Sequence, residues 1–360
     1  NLANGQIMNN EAKNGGGFYL ASSGPLIAAC VVRVNKALYG GGFYFSGSGW
    51  VPRLQKNSVT GNTAVIAGGG FNLNGNDSGF SATNLNSVFG NHAPLGNDFY
   101  RFDTTATDHI QLDTFSVRYP TDYYAEPYLS FDITMQHHMT EQVESDLYVS
   151  AAGSDTSSGL SAATPLRTVD RAFSFLRLDS ARRFTVHVAY GVYSPSLTGE
   201  TFPVCIPDYA SLEGESKEGV IFRRKAYDPI LWFHHNHDNR LSRCTFQEGG
   251  ILCEYANPRM DEIDIQGTLT DTVVTIQGGG ISLNNARASL RDVTISGFRA
   301  SCGGGFFAYL STCSADNFRI NRCAASNGGA IALQNSAMTM RNAEVTGNSA
   351  FIGGIMETWF

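Results

Sequence analysis

Along most of this chain apolar and polar residues alternate in short runs of about five to eight positions, closed off by glycine, asparagine or serine. Ala288-Ser289-Leu290-Arg291-Asp292-Val293-Thr294-Ile295 is one such run, and Ala337-Met338-Thr339-Met340-Arg341-Asn342-Ala343-Glu344-Val345 is another. Alternation with a period of two predicts strands. The long amphipathic runs that a helical repeat would need are missing.

The runs recur at a fixed interval. Gly278-Gly279-Gly280-Ile281 returns as Gly303-Gly304-Gly305-Phe306, Gly328-Gly329-Ala330-Ile331 and Gly353-Gly354-Ile355-Met356, each step 25 residues (303 − 278, 328 − 303, 353 − 328). Ser296-Gly297-Phe298-Arg299-Ala300 and Thr346-Gly347-Asn348-Ser349-Ala350 hold one place in that period. The same grammar opens the chain: Gly15-Gly16-Gly17-Phe18 precedes Gly40-Gly41-Gly42-Phe43 by 25 (40 − 15), and Gly68 and Gly96 follow at steps of 28 (68 − 40, 96 − 68). Self-similarity of this kind marks stacked repeats. Two or three strands per period make one coil, rising roughly 4.8 Å. The expected fold is an all-β, right-handed parallel β-helix, with glycines where the chain turns a corner or coils approach closely.

An Asn-x-Ala phrase lies ahead of each early glycine phrase, at Asn10, Asn35, Asn62 and Asn91. Stacked coils would put these four side chains in a ladder of amide hydrogen bonds, since buried amides need partners. The alternative is a run of polar turn residues.

Residues 101–145 break the pattern, with Arg118-Tyr119-Pro120 and Tyr123-Tyr124-Ala125-Glu126-Pro127-Tyr128, although 129–135 alternate like one more strand. A second grammar then begins. Asp146-Leu147-Tyr148-Val149-Ser150 reads as a strand, and Thr168 is the N-cap of a helix that shows Val169, Ala172, Phe173 and Leu176 on one face. The expected organisation is therefore β-helix coils over 1–118, a connector over 119–145, a cap with the first coils of a second module over 146–215, and further coils over 216–360.

Two resemblances come with these phrases. The Gly-Gly-x-Ile/Phe phrase, paired with Val59-Thr60-Gly61-Asn62, Phe318-Arg319-Ile320-Asn321 and Val345-Thr346-Gly347-Asn348, resembles the repeats of the polymorphic outer-membrane protein family and related pectin-lyase-like β-helices. The series Tyr148-Val149-Ser150, Gly153-Ser154-Asp155, Pro165-Leu166-Arg167-Thr168, Gly191-Val192-Tyr193, Gly199-Glu200-Thr201-Phe202-Pro203 and Leu212-Glu213-Gly214 is similar to a domain of unknown function that opens many secreted parallel β-helix proteins. The second resemblance, over 147–214, implies a short helix plugging the end of a solenoid. It implies no activity.

Composition agrees with stacked coils: 360 residues, 39 glycines, 42% hydrophobic and only 16% charged. A net charge of −7 recommends no nucleic-acid partner. No apolar stretch approaches the roughly 18 residues of a membrane span. The chain starts at Asn1, without methionine or signal sequence, and begins and ends inside repeats, as expected of a piece of something longer.

The seven cysteines contain no Cys-x-x-Cys. Cys302 with Cys323 and Cys244 with Cys253 are the disulfide candidates, against buried free thiols as the alternative. Asn76-Asp77-Ser78 is a glycosylation sequon. Glu262 and Asp264 would share one face of a strand and are the carboxylates a glycoside hydrolase would need, set against a plain solvated face. The motifs of polygalacturonases and pectate lyases are missing. His235 and His237 would also share a face and could contribute to a metal site, set against a simple loop. No cofactor is expected.

The expectation is a non-enzymatic structural module of an extracellular filament, coat or surface appendage, joined end to end with like modules. Joining residue 360 to residue 1 would put Ala12 22 residues after Ala350 (10 + 12), close to the coil period. An adhesin or glycan-binding solenoid is the alternative, and a divergent polysaccharide lyase or hydrolase the third reading.

Overall fold

The computed structural model describes residues 1–47, 51–75, 79–102, 107–224, 229–235, 238–269 and 277–359. Among them the regular structure is β-strand apart from one α-helix, Val169–Phe175, and a short 3-10 turn, Tyr128–Ser130. Every pairing between strands is parallel and joins one coil to the next. The architecture is a right-handed parallel β-helix. The chain divides into two compact units, Asn1–Val143 and Glu144–Phe360.

In the first unit one sheet stacks six strands: Gln6–Met8, Val31–Arg33, Ser58–Thr60, Asn86–Phe89, Asp108–Val117 and Phe131–Thr140. A second stacks Phe18–Ala21, Phe43–Gly47, Phe71–Gly75, Phe99–Arg101 and Ala125–Glu126. Residues 125–140, in the stretch read as a connector, thus add a further coil to this unit. Alternation decides which side chains face in. Val32, Val59 and Val88 form one wholly buried column, and Phe43, Phe71 and Phe99 form another. Successive rings in the latter stack at 4.7 and 5.3 Å, close to the strand spacing of about 4.8 Å that sets the rise per coil.

The glycine phrases do two different jobs. The first glycine turns the corner in the left-handed region, with φ of 65° at Gly40 and 69° at Gly68. The second sits where coils touch: a Cβ on Gly41 would lie 2.6 Å from Gly69 O.

In the second unit the helix Val169–Phe175 opens the solenoid. Thr168 caps it by accepting from Arg171 N–H at 3.2 Å, and Val169, Ala172, Phe173 and Leu176 are buried. The Glu200 carboxylate accepts from Val169 N–H (3.0 Å) and Asp170 N–H (3.1 Å), satisfying two further donors of the first turn. One sheet then runs from Leu147–Val149 through Arg259–Gln266, Arg287–Ser296 and Thr312–Asn321 to Ala337–Arg341. A second runs from Val204–Cys205 through Leu231–His234, Ile251–Glu254, Ile281–Asn284, Phe306–Tyr309 and Ile331–Gln334 to Met356–Trp359. A third holds Arg299–Cys302, Ala324–Asn327 and Ser349–Ile352. Ile263, Val293 and Phe318, in register and fully buried, form one column of its core.

Candidate functional site

The amide ladder of the first unit is continuous. Asn10 Nδ2 donates to Asn35 Oδ1 (2.9 Å), Asn35 Nδ2 to Asn62 Oδ1 (2.9 Å), and Asn62 Nδ2 to Asn91 Oδ1 (3.0 Å). In each step the backbone N–H of the same donor reaches the same oxygen, at 3.1, 3.1 and 3.0 Å. The second Nδ2 hydrogen goes back one coil: from Asn35 to Ile7 O, from Asn62 to Val32 O and from Asn91 to Val59 O. Asp98 closes the series by accepting from Asn91 Nδ2 at 2.9 Å, and burial pushes its carboxyl up to about 7.

A second ladder went unread in the sequence. Cys30 N–H donates to Asn57 Oδ1 (3.0 Å) and Asn57 Nδ2 to Asn86 Oδ1 (3.0 Å), with Asn57 Nδ2 also donating to Ile27 O. The available signal was spacing: Asn57 and Asn86 each stand five residues before a member of the first ladder (62 − 57, 91 − 86). The second unit replaces it with hydroxyls, Ser311 N–H donating to Ser336 Oγ at 2.9 Å.

Both end coils show the same feature. At the far end of the second unit Met338, Met340 and Val345 are half-buried and Ile355 is 58% exposed, whereas Cys313, Ala315, Ile320 and Ala330, one coil earlier, are buried. At the start of the first unit Leu2 is exposed and Ile7 and Phe18 are half-buried, whereas their register partners Ile27, Val32 and Phe43 are buried. Ile133 and Met135, on the edge strand Phe131–Thr140, are likewise half-buried while their partners Ile110 and Leu112 are buried, so core positions are more open on the outermost described strands of a sheet.

The carboxylates read as a possible pair are separated by a bend. Glu262 has φ of 54°, so alternation breaks at it: Asp261 and Asp264 both point outward, and Glu262 lies exposed at the corner between them. Asp264 pairs with Lys217 (3.3 Å), and Asp261 accepts from Arg240 (3.1 Å) and from Arg291 Nε (2.8 Å), whose guanidinium holds its carboxyl below the usual range. These acids are engaged in ion pairs along the sheet.

His235 also turns a corner (φ 53°), its ring stacked on Tyr255 at 4.8 Å, while His237 lies outside the described residues. Among the described residues no group of three His, Cys, Asp or Glu side chains could hold a metal ion. Asn76 likewise falls outside the described residues.

The disulfide pairings are corrected: none of the seven cysteines is joined in a disulfide. Register is the reason. Cys302 stacks on Asn327, 25 residues on, so Cys323, 21 residues on (323 − 302), falls short of it. Cys244 and Cys253 belong to different sheets, Arg240–Gln247 and Ile251–Glu254.

The outer face of the sheet that follows the glycine corners carries aromatic side chains in both units. In the first, Tyr19 and Tyr44 stack at 5.4 Å and 7°. In the second, a shallow groove of about 390 Å3 is lined by Leu252, Glu254, Ser282, Asn284, Phe307 and Tyr309. Glu254 is held there by Trp232 Nε1 (3.0 Å) and Asn284 Nδ2 (3.4 Å).

Residues 151–228 match a family described as a protein of unknown function (DUF1565). No curated protein matches the chain, and no solved structure does. No helix among the described residues is long and apolar enough to cross a membrane.

Proposed function

We propose that this protein is a non-enzymatic structural module, a β-helical building block of an extracellular filament, coat or appendage that joins end to end with like modules. One observation carries the reading: the described chain is built of stacked parallel coils, and the carboxylates on the outer face of its sheet are engaged in ion pairs. An open coil end is an assembly surface, because strand edges and an apolar cross-section both gain from a further coil. The extracellular setting rests on the similarity of residues 147–214 to the opening domain of secreted β-helices. Kinship of the repeats with the polymorphic outer-membrane proteins, and of the fold with pectin-lyase-like solenoids, rests on the Gly-Gly-x-Ile/Phe phrases. Negative-stain electron microscopy over a concentration series tests the function. Regular polymers support it, and a discrete monomer at every concentration sinks it.

The outward aromatic side chains favour a second reading, a glycan-binding solenoid. Flat rings beside a carboxylate and an amide suit the apolar face and hydroxyls of a sugar. A glycan array probed with wild type and Tyr309→Ala separates the two: retained binding in the variant, or none in either, leaves the groove without this role.

A further inference from the structure

We infer that the groove over Glu254 takes uncharged sugars and turns acidic ones away, with the Glu254 carboxylate as the group that makes the choice. This rests on the glycan-binding reading and names the class of glycan.

Alternation builds the groove. In Ile251–Glu254, Ile281–Asn284 and Phe306–Tyr309 the first and third side chains enter the core, where all six are buried. The second and fourth face outward. Parallel register stacks these in two columns, Leu252 on Ser282 on Phe307 and Glu254 on Asn284 on Tyr309. One column is mainly apolar, and the other carries a carboxylate, an amide and a phenol. Leu252, Glu254, Ser282, Asn284 and Tyr309 are all half-buried, which leaves them held in place and still reachable. At about 4.8 Å per coil the three coils span roughly 10 Å. The volume of about 390 Å3 suits a small ligand or a short stretch of a longer one. A pyranose ring is divided in the same way, with C–H groups on its faces and hydroxyls around its edge.

Glu254 is fixed but not used up. Trp232 Nε1 donates to one carboxylate oxygen at 3.0 Å, and Asn284 Nδ2 donates to the other at 3.4 Å. A carboxylate offers about four lone-pair sites, so each oxygen can still accept from one more donor. Two neighbouring hydroxyls of a sugar supply two such donors. The hydroxyls of Ser282 and Tyr309 have no partner among the described residues, and they can donate to ring or hydroxyl oxygens of the same sugar.

An acidic sugar meets the same carboxylate badly. Among the described residues that line the groove, Glu254 carries the only charge. A uronate or a sulfate ester placed there brings acceptors where donors are needed, and sets a like charge against Glu254 in a partly desolvated site. Such a contact excludes one ligand without adding anything to the binding of the other. An uncharged sugar bound in the groove makes hydrogen bonds to Glu254 that bulk salt screens little.

The test is an array of glucose, galactose and mannose oligosaccharides printed beside their uronate counterparts and sulfate esters. It is probed with wild type, Tyr309→Ala and Glu254→Gln, and far-UV circular dichroism confirms that each variant is folded. Spots that Tyr309→Ala abolishes belong to the groove, and these should be uncharged. Their uronate counterparts should bind wild type at least about tenfold more weakly. In Glu254→Gln the uncharged sugars should weaken by about tenfold, through loss of a charged acceptor, while their uronate counterparts bind more tightly than to wild type. A merely structural loss would weaken both. Groove-dependent spots that are acidic, or a preference left unchanged by Glu254→Gln, would overturn this selectivity and leave glycan binding standing. An array with no spot that depends on Tyr309 removes the glycan-binding reading, and the selectivity with it.

Discussion

Asn91 Nδ2 donates to Asp98 Oδ1 at 2.9 Å, so a ladder that runs on amides for four coils ends on a buried carboxylate seven residues further along the chain (98 − 91). Asp98 Oδ2 is buried with no hydrogen-bond partner, and burial raises the carboxyl from 3.8 to about 7. A raised acid holds its proton more tightly folded than unfolded. The stability it contributes is complete below pH 3.8 and is lost as pH rises through about 7. Asp98→Asn keeps the acceptor for Asn91 and removes the titration. Denaturant unfolding should show the variant more stable than wild type at pH 8, by roughly 2–4 kcal/mol, with the difference vanishing toward pH 4. A pH-independent difference would mean the carboxylate is not the cause.

The interior of the ladder should be far less tolerant. Asn62→Ala removes the acceptor for Asn35 N–H and Nδ2 and the donor to Val32 O and Asn91 Oδ1, all buried. Unsatisfied buried groups cost about 1–3 kcal/mol each, so a loss of roughly 3–6 kcal/mol is expected. Asn10→Ala, at an exposed end with a single coil to bond, should cost about 1 kcal/mol. Equal losses at the two positions would show that the ladder adds nothing beyond its individual bonds.

Glycines that look alike in sequence should separate sharply. Gly41→Ala drives a methyl to 2.6 Å from both Gly69 O and Thr63 O, backbone atoms that belong to the next coil and cannot move alone. It should prevent the first unit from folding. Gly61→Ala has a positive φ of 63° but open space around the Cβ, so its cost should be only the left-handed penalty of about 1–2 kcal/mol. Thermal melts of the two variants check the contrast; comparable midpoints would contradict the close-packed coil contact.

These cases show what could be read in advance. Stacking repeats the chain every 25 to 28 residues, so anything tied to the stack, such as Asn10 with Asn35 or Gly15 with Gly40, leaves a period in the sequence. The cap was legible because Thr168 and its apolar face follow local helix chemistry. Features set by the corner geometry were not. Glu262 turns left-handed without being glycine, which no alternation rule announces, and the bend it makes separated a carboxylate pair that a straight strand would have aligned. The cysteines misled for a related reason: nearness in sequence counts for little where register places residues 25 apart in contact and residues nine apart on different sheets.

The free thiols give a direct test of that register. Cys30, Cys244, Cys253, Cys313 and Cys323 are buried, and only Cys205 and Cys302 are partly accessible. Burial pushes the Cys313 thiol up to about 12 and the Cys323 thiol up to about 11, so little thiolate is present at pH 8 and alkylation there is slow. Iodoacetamide applied to the native protein at pH 8 should therefore modify Cys205 and Cys302 alone. After unfolding without reductant all seven should react, because no sulfur is tied up in a bridge. Intact mass before and after a reducing agent reads the outcome. A shortfall of two alkyl groups that reductant restores would reveal a disulfide, and would require neighbouring coils to slip from the register in which Cys302 faces Asn327.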